Sequence, residues 1–98
     1  MEDNDILLLL ADYKLDLTPP TDYRSKRFEE FSVQRWAVDE LKIYILSHTD
    51  MEPIDVCMRF IRQMSYYAGR YRSPKSRAMC SAAIKTAEDI ADIIMNSK

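Results

Sequence analysis

"PIDVCMRFIRQMSYYAGRYRSP", residues 53–74, decides the fold because it contains one complete helix and the start of the next. Proline suits the first turn of a helix, where its missing N–H leaves no hydrogen bond unmade. The stretch begins with Pro53 and ends with Pro74, and Ser73 is a good N-cap for the second helix. We therefore predict a helix from Pro53 to about Arg70 and another that begins at Pro74.

Helical spacing assigns two sides to the first of these helices. The predicted buried side consists of Ile54, Cys57, Met58, Ile61, Met64, Ser65 and Ala68. At 100° per residue, the side opposite Ile61 carries three arginines and one tyrosine, which are Arg59, Arg62, Tyr66 and Arg70. This helix is therefore expected to present a basic stripe to its surroundings.

The remaining sequence also indicates helices. Residues 3–17 predict a short first helix, and residues 25–47 predict a long second one with apolar residues at helical spacing. Proline-containing breaks at 18–22 and 47–53 separate them, and the last helix is expected to run from residue 74 to about residue 95. The predicted fold class is all-α, a small helical bundle of three long helices plus a short N-terminal helix.

Length and composition favour one domain. The chain has 98 residues, one glycine and four prolines, which is too few turn-forming residues for a sheet with several tight turns. We expect a single helical domain over residues 1–98. Its parts are an N-terminal helix with a proline-containing loop over residues 1–22 and a three-helix core over residues 25–95.

Charge is distributed unevenly although the formal net charge is only −2. Residues 1–23 and 28–58 are mainly acidic, whereas residues 59–77 contain six basic residues and no acid. The predicted binding residues lie in this basic sector and include two of its tyrosines: Arg59, Arg62, Tyr66, Arg70, Tyr71, Arg72, Lys75 and Arg77.

Three interpretations of this basic sector remain open. An acidic protein surface is one expected partner, because its charge complements the sector. Nucleic acid is a second, with arginines on phosphates and Tyr66 or Tyr71 stacked on an unpaired base. The third is a solvated helix face, since exposed helix surfaces are ordinarily charged.

Residues for catalysis, metal binding or cofactor binding are scarce. His48 is the only histidine and has no obvious Ser–His or Cys–His partner, and one glycine excludes a glycine-rich phosphate loop. Nucleotide pyrophosphohydrolases of all-helical fold hold Mg²⁺ with paired acids, but Val33 and Gln34 stand where the Glu29-Glu30 cluster needs a third acid. We expect no catalytic residue, no metal and no cofactor.

Cysteine usage and hydropathy bear on the compartment. Cys57 and Cys80 lie on apolar helix faces without metal-ligand spacing, which favours reduced core thiols, although a disulfide between helices remains open. The longest apolar run, residues 6–11, is far shorter than the roughly 20 residues needed to span a bilayer. We expect a cytoplasmic protein without a membrane partner.

Apolar residues exceed what one small core easily covers. Ile6 to Leu10 is apolar on every side of a helix, and the second helix carries Phe28, Phe31 and Trp36 on more than one side. Aromatic anchors at a surface are typical of protein interfaces. A homodimer through Ile6–Leu10 or through this aromatic helix is therefore one expectation, and a fully packed monomer is the other.

Several short motifs occur between residues 36 and 94. They are "WAVDEL" at 36–41, Pro53-Ile54, the set Phe60, Met64 and Tyr67, and Ala83 followed by "AEDI" at 87–90. This pattern resembles small helical proteins of bacterial prophages and integrative elements. The resemblance implies helix packing without catalysis and action by binding host or defence machinery, as anti-CRISPR-type inhibitors do. The basic connection at 70–77 departs from the family pattern, which leaves the partner's identity open.

Overall fold

Two of the four helices begin at a proline in the structure, a computed structural model that describes residues 3–15 and 26–96. The four helices are α1 (Asp3–Leu15), α2 (Lys26–Ser47), α3 (Pro53–Arg70) and α4 (Pro74–Asn96), and this part of the chain contains no strand. The predicted all-α bundle is confirmed. Residues 16 and 17 of the predicted first helix lie outside the described residues.

Backbone groups, and not a side-chain cap, form the hydrogen bond at the start of α3. Pro53 is the first helical residue and Glu52 occupies the N-cap position, but the Glu52 carboxylate makes no capping hydrogen bond. The Glu52 carbonyl instead accepts a hydrogen bond from the Val56 N–H at 3.0 Å. Asp55 in the first turn and Arg70 in the last turn both complement the helix dipole.

The buried face of α3 is turned relative to the prediction. Met58 is 50% exposed and Ser65 is exposed, so assigning them to the core was wrong. Val56 and Phe60 are fully buried instead. The reason is that α3 has apolar residues around more than half of its circumference, and the positions of its neighbours select which of these are covered.

Helices α2 and α4 hold the bundle together, since each of them contacts all three other helices, and the most extensive contact is between α3 and α4. Ala83 and Ala87 on the inner face of α4 are fully buried, and such small side chains let neighbouring helices approach closely. The larger core residues pack around them and come from all four helices: Ile6, Leu10, Val38, Leu41, Ile45, Val56, Phe60, Ile90 and Ile94.

The N-terminal helix packs on its own chain. Ile6 and Leu10 are fully buried in the shared core, whereas Leu8 is 66% exposed. The Tyr13 hydroxyl donates a hydrogen bond of 3.2 Å to Asp89 Oδ2 and so joins α1 to α4. Burial and the neighbouring Asp89 charge both raise the pKa of Tyr13, which keeps the phenol protonated as a donor.

Candidate functional site

The basic stripe of α3 lies on the side of the helix away from the core. Arg59, Arg62, Tyr66 and Arg70 are all exposed, as their spacing predicted. The Arg70 Cζ atom lies 4.9 Å from the centroid of the Tyr66 ring, within the range of a cation–π contact. This contact holds the guanidinium beside a phenol ring that is itself 58% exposed.

The connection between α3 and α4 extends this surface. Tyr71, Arg72, Lys75 and Arg77 are exposed, and together with the α3 stripe we call these residues the basic face. The Tyr71 N–H donates to the Tyr67 carbonyl at 3.1 Å, and Arg77 Nε donates to the Tyr71 carbonyl at 2.7 Å. These bonds tie Tyr71, the first residue of the connection, to both α3 and α4.

Three tyrosine rings join the stripe to the connection. The Tyr66 and Tyr67 rings meet edge to face with centroids 5.7 Å apart, and the Tyr67 and Tyr71 rings stack at 6.2 Å and 23°. The binding residues predicted from the sequence do not include Tyr67. The structure places it between Tyr66 and Tyr71, where it is 37% exposed.

The cations of the basic face lie in a stretch of sequence that contains no acid. No acid occurs between residues 56 and 87. The last acid before this stretch, Asp55, lies one helical turn before Arg59. One polar contact of these cations is with a neutral group, the 3.7 Å approach of Arg59 Nη1 to Met51 Sδ.

A small cavity of about 230 Å³ adjoins the tyrosines, and we call it the end pocket. Its walls come from three helices and the α3–α4 connection: Trp36 of α2, Met64 and Tyr67 of α3, Tyr71 of the connection, and Ser76, Met79 and Cys80 of α4. Met64 and Tyr67 follow buried Phe60 at i+4 and i+7, so they continue the core face of α3. The pocket is therefore the uncovered end of the hydrophobic core.

A larger groove of about 810 Å³ separates the first halves of α2 and α4. Its lining mixes apolar residues such as Phe28 and Val33 with Glu29, Glu30 and Lys75. Phe28, Phe31 and Trp36, the aromatic residues expected at a dimer interface, are all partly covered within the chain. Phe28 lines this groove and Trp36 lines the end pocket.

The residues best suited to catalysis occupy structural positions. The ring of His48 stacks on Tyr44 with centroids 4.2 Å apart, and its Nδ1 lies 2.8 Å from the Tyr44 carbonyl. Both cysteines are buried free thiols; burial raises the pKa of Cys57 to about 11 and also raises that of Cys80. Their protonated forms are poor nucleophiles.

The described residues contain no group of three or more His, Cys, Asp or Glu side chains placed to hold a metal ion. They also include no helix long and apolar enough to cross a membrane.

Comparison with protein-family models, with curated proteins and with solved structures finds no match to this chain.

Proposed function

We propose that this chain is a non-enzymatic binding module whose basic face receives an acidic surface of another protein. The observation that carries the proposal is the one-sided charge: six exposed cations lie within residues 59–77, and no acid occurs between residues 56 and 87. A helix face that serves only for solvation ordinarily alternates charges of both signs, which lowers its electrostatic self-repulsion. A cluster of charges of one sign is typical of a surface that binds an oppositely charged partner.

The residue types of the basic face, and the contacts that hold its side chains in place, support a role in binding. Arginine and tyrosine are enriched among residues that dominate interface energies. Here the Tyr66 ring holds Arg70, and the stack of Tyr67 on Tyr71 orders the neighbouring connection. Side chains that are ordered before binding lose less conformational entropy when the partner arrives.

A nucleic-acid partner is the second candidate, because Tyr66 is exposed enough to stack on a base. The overall charge of −2 and the acids of α2 and α4 oppose it. Six cations on an otherwise acidic body would give weak and strongly salt-dependent attraction to phosphates. The protein partner therefore accounts better for the whole charge distribution.

Charge reversal separates these candidates. The test variant is Arg62→Glu with Arg70→Glu, and the matched control is Lys42→Glu with Lys85→Glu, which changes the net charge equally at exposed positions outside the basic face. A fluorescently labelled oligoglutamate peptide is titrated with each protein at about 10 mM salt and again at about 150 mM salt. We expect binding that weakens with salt, survives in the control and is lost in the test variant.

Two results would overturn the proposal. One is equal peptide affinity of the test variant and the control, since the basic face would then not be the binding surface. The other is retardation of single- or double-stranded oligonucleotides at about 150 mM salt under conditions where the peptide does not bind. Helical circular dichroism of both variants checks that the fold is intact.

The biological setting is a further part of the proposal. The resemblance to prophage and integrative-element proteins suggests an accessory role or inhibition of host or defence machinery. An acidic surface on such machinery would be the natural complement of the basic face.

A further inference from the structure

We propose that the end pocket takes one large apolar side chain from an acidic segment of the partner protein. This inference rests on the proposed function and specifies the chemistry of the partner. It assigns binding to Trp36, Met64 and Met79, residues outside the basic face.

The size of the pocket selects the occupant. Sites for drug-sized ligands and cofactors typically have volumes of roughly 300–1,000 Å³, and the end pocket, at about 230 Å³, is smaller. Its walls are an indole, two phenol rings and two thioethers, groups that favour an aromatic or aliphatic side chain. A single anchoring side chain therefore fits better than a separate small molecule.

The cations around the pocket select the residues that flank the anchor. Two wall residues stand directly between cations in the sequence: Tyr71 lies between Arg70 and Arg72, and Ser76 lies between Lys75 and Arg77. An apolar side chain that enters the pocket therefore brings its neighbouring residues against these cations. Acidic neighbours would complement them, whereas basic neighbours would be repelled.

The charges of helix α2 indicate on which side of the pocket the acids of the bound segment lie. Its wall residue Trp36 follows one cation, Arg35, but is itself followed within one turn by Asp39 and Glu40, the acids nearest in sequence to any wall residue. The acids of the ligand are therefore expected to lie towards α3 and α4 and away from α2. The pocket and the basic face together form one continuous surface with an apolar centre and a charged margin, the usual anatomy of an interface.

Trp36 is the only tryptophan of the chain and lines the pocket, so it reports occupancy directly. The probe is the peptide acetyl-EEDFDEE-amide, and the matched peptide replaces its phenylalanine by serine. We expect the phenylalanine peptide to shift Trp36 emission to shorter wavelength, to protect it from acrylamide quenching, and to bind about tenfold more tightly than the serine peptide. These measurements use the unmodified protein.

A filled pocket provides the complementary test. Ser76→Phe places a ring in the wall of the pocket, and Ser81→Phe places one on an exposed position of the same helix. We expect Ser76→Phe to reduce the affinity for the phenylalanine peptide to that for the serine peptide. Ser81→Phe should leave both affinities unchanged, with helical circular dichroism confirming the fold of each variant.

The outcomes distinguish this inference from the proposed function. Equal affinity for the two peptides, or tighter binding without a Trp36 response, would overturn the inference and leave the acid-binding face standing. Failure of both peptides to bind at about 10 mM salt would overturn both. Preference for the phenylalanine peptide in the presence of Ser76→Phe would place the anchor elsewhere and also overturn the inference.

Discussion

Arg70 links the end of α3 to its surface chemistry. As a cation in the last turn it complements the helix dipole, and its guanidinium lies against the Tyr66 ring. Both contacts orient the side chain without an acidic partner, so the charge stays available. An arginine paired with a carboxylate would have to break that contact before it could bind another molecule.

Gly69, one residue earlier, is a weak point of α3. Its φ is not positive, and an added Cβ would meet no atom within 4 Å among the described residues. Glycine lowers helix stability because its unfolded backbone has more freedom to lose. We predict that Gly69→Ala raises the free energy of unfolding by about 0.5 kcal/mol in urea denaturation. A loss of stability would show that the backbone here requires glycine.

The buried thiol of Cys57 is expected to lower the free energy of unfolding as the pH rises into the alkaline range. Burial raises the pKa of its thiol to about 11 from an ordinary value of 9.0, so the unfolded chain releases this proton first as the pH rises. The folded state is then penalised above about pH 9, because the unfolded state binds fewer protons. We predict that Cys57 removes about 2 kcal/mol from the free energy of unfolding between about pH 8 and about pH 10.5.

The measurement compares urea denaturation of the wild-type chain with that of Cys57→Ala at several pH values. Other groups, including Tyr13, titrate in the same range in both proteins, so only the difference between the curves belongs to Cys57. The wild type should lose stability more steeply with rising pH. Parallel curves would mean that the thiol is not desolvated in the folded state.

At the scale of the helices, the sequence predicts where a helix begins better than it predicts which side of the helix is buried. Pro53 and Pro74 act locally, through a missing N–H and a fixed φ, and both helices begin at these residues. Which side of α3 is covered depends on distant helices, and the assignment of Met58 and Ser65 to the core was wrong for that reason. The basic stripe was placed correctly because charges remain exposed under a modest rotation of the helix.

Docking of α1 is tested by two leucines of the same helix. Leu10 is 1% exposed within the core, and Leu8 is 66% exposed. We predict that Leu10→Ala lowers the free energy of unfolding by about 2–5 kcal/mol, through lost burial and a residual cavity. Leu8→Ala should change it by less than about 0.5 kcal/mol. Similar losses for both variants in urea denaturation would contradict the packing of α1 on its own chain.

The homodimer remains a prediction, and the monomer leaves less apolar surface exposed for it than the sequence suggested. Ile6 and Leu10 of the predicted contact are occupied in the monomer core, which leaves Leu8 and the partly covered Phe28 and Phe31 for a second copy. Size-exclusion chromatography with light scattering measures the mass directly.

Across the whole molecule, the basic face could be predicted from sequence and the end pocket could not. The cations occur together in residues 59–77, and their exposure follows from their chemistry. Trp36 reaches Tyr67 and Met79 only through the packing of α2 against α3 and α4, and no local pattern fixes that packing. A usable signal was present in the spacing of Phe60, Met64 and Tyr67, which extends an apolar helix face into a basic segment.

The basic sector on an acidic body also predicts how the molecule meets its partner. Unlike charges attract over distances of about a Debye length, roughly 10 Å at 0.1 M salt, so association should be faster at low ionic strength. The proposed anchor in the end pocket would act only after contact, and we expect it to slow dissociation. Charge and anchor therefore contribute to different steps of binding.

The most direct test of the central claim is affinity capture from a lysate of the organism that encodes the chain. The baits are the wild type, Arg62→Glu with Arg70→Glu, and Lys42→Glu with Lys85→Glu, each with and without nuclease, followed by mass spectrometry. We predict one set of proteins that is retained by the wild type and the Lys42/Lys85 variant, lost with the Arg62/Arg70 variant and resistant to nuclease. Identical capture by all three baits, or capture abolished by nuclease, would contradict a protein-binding basic face.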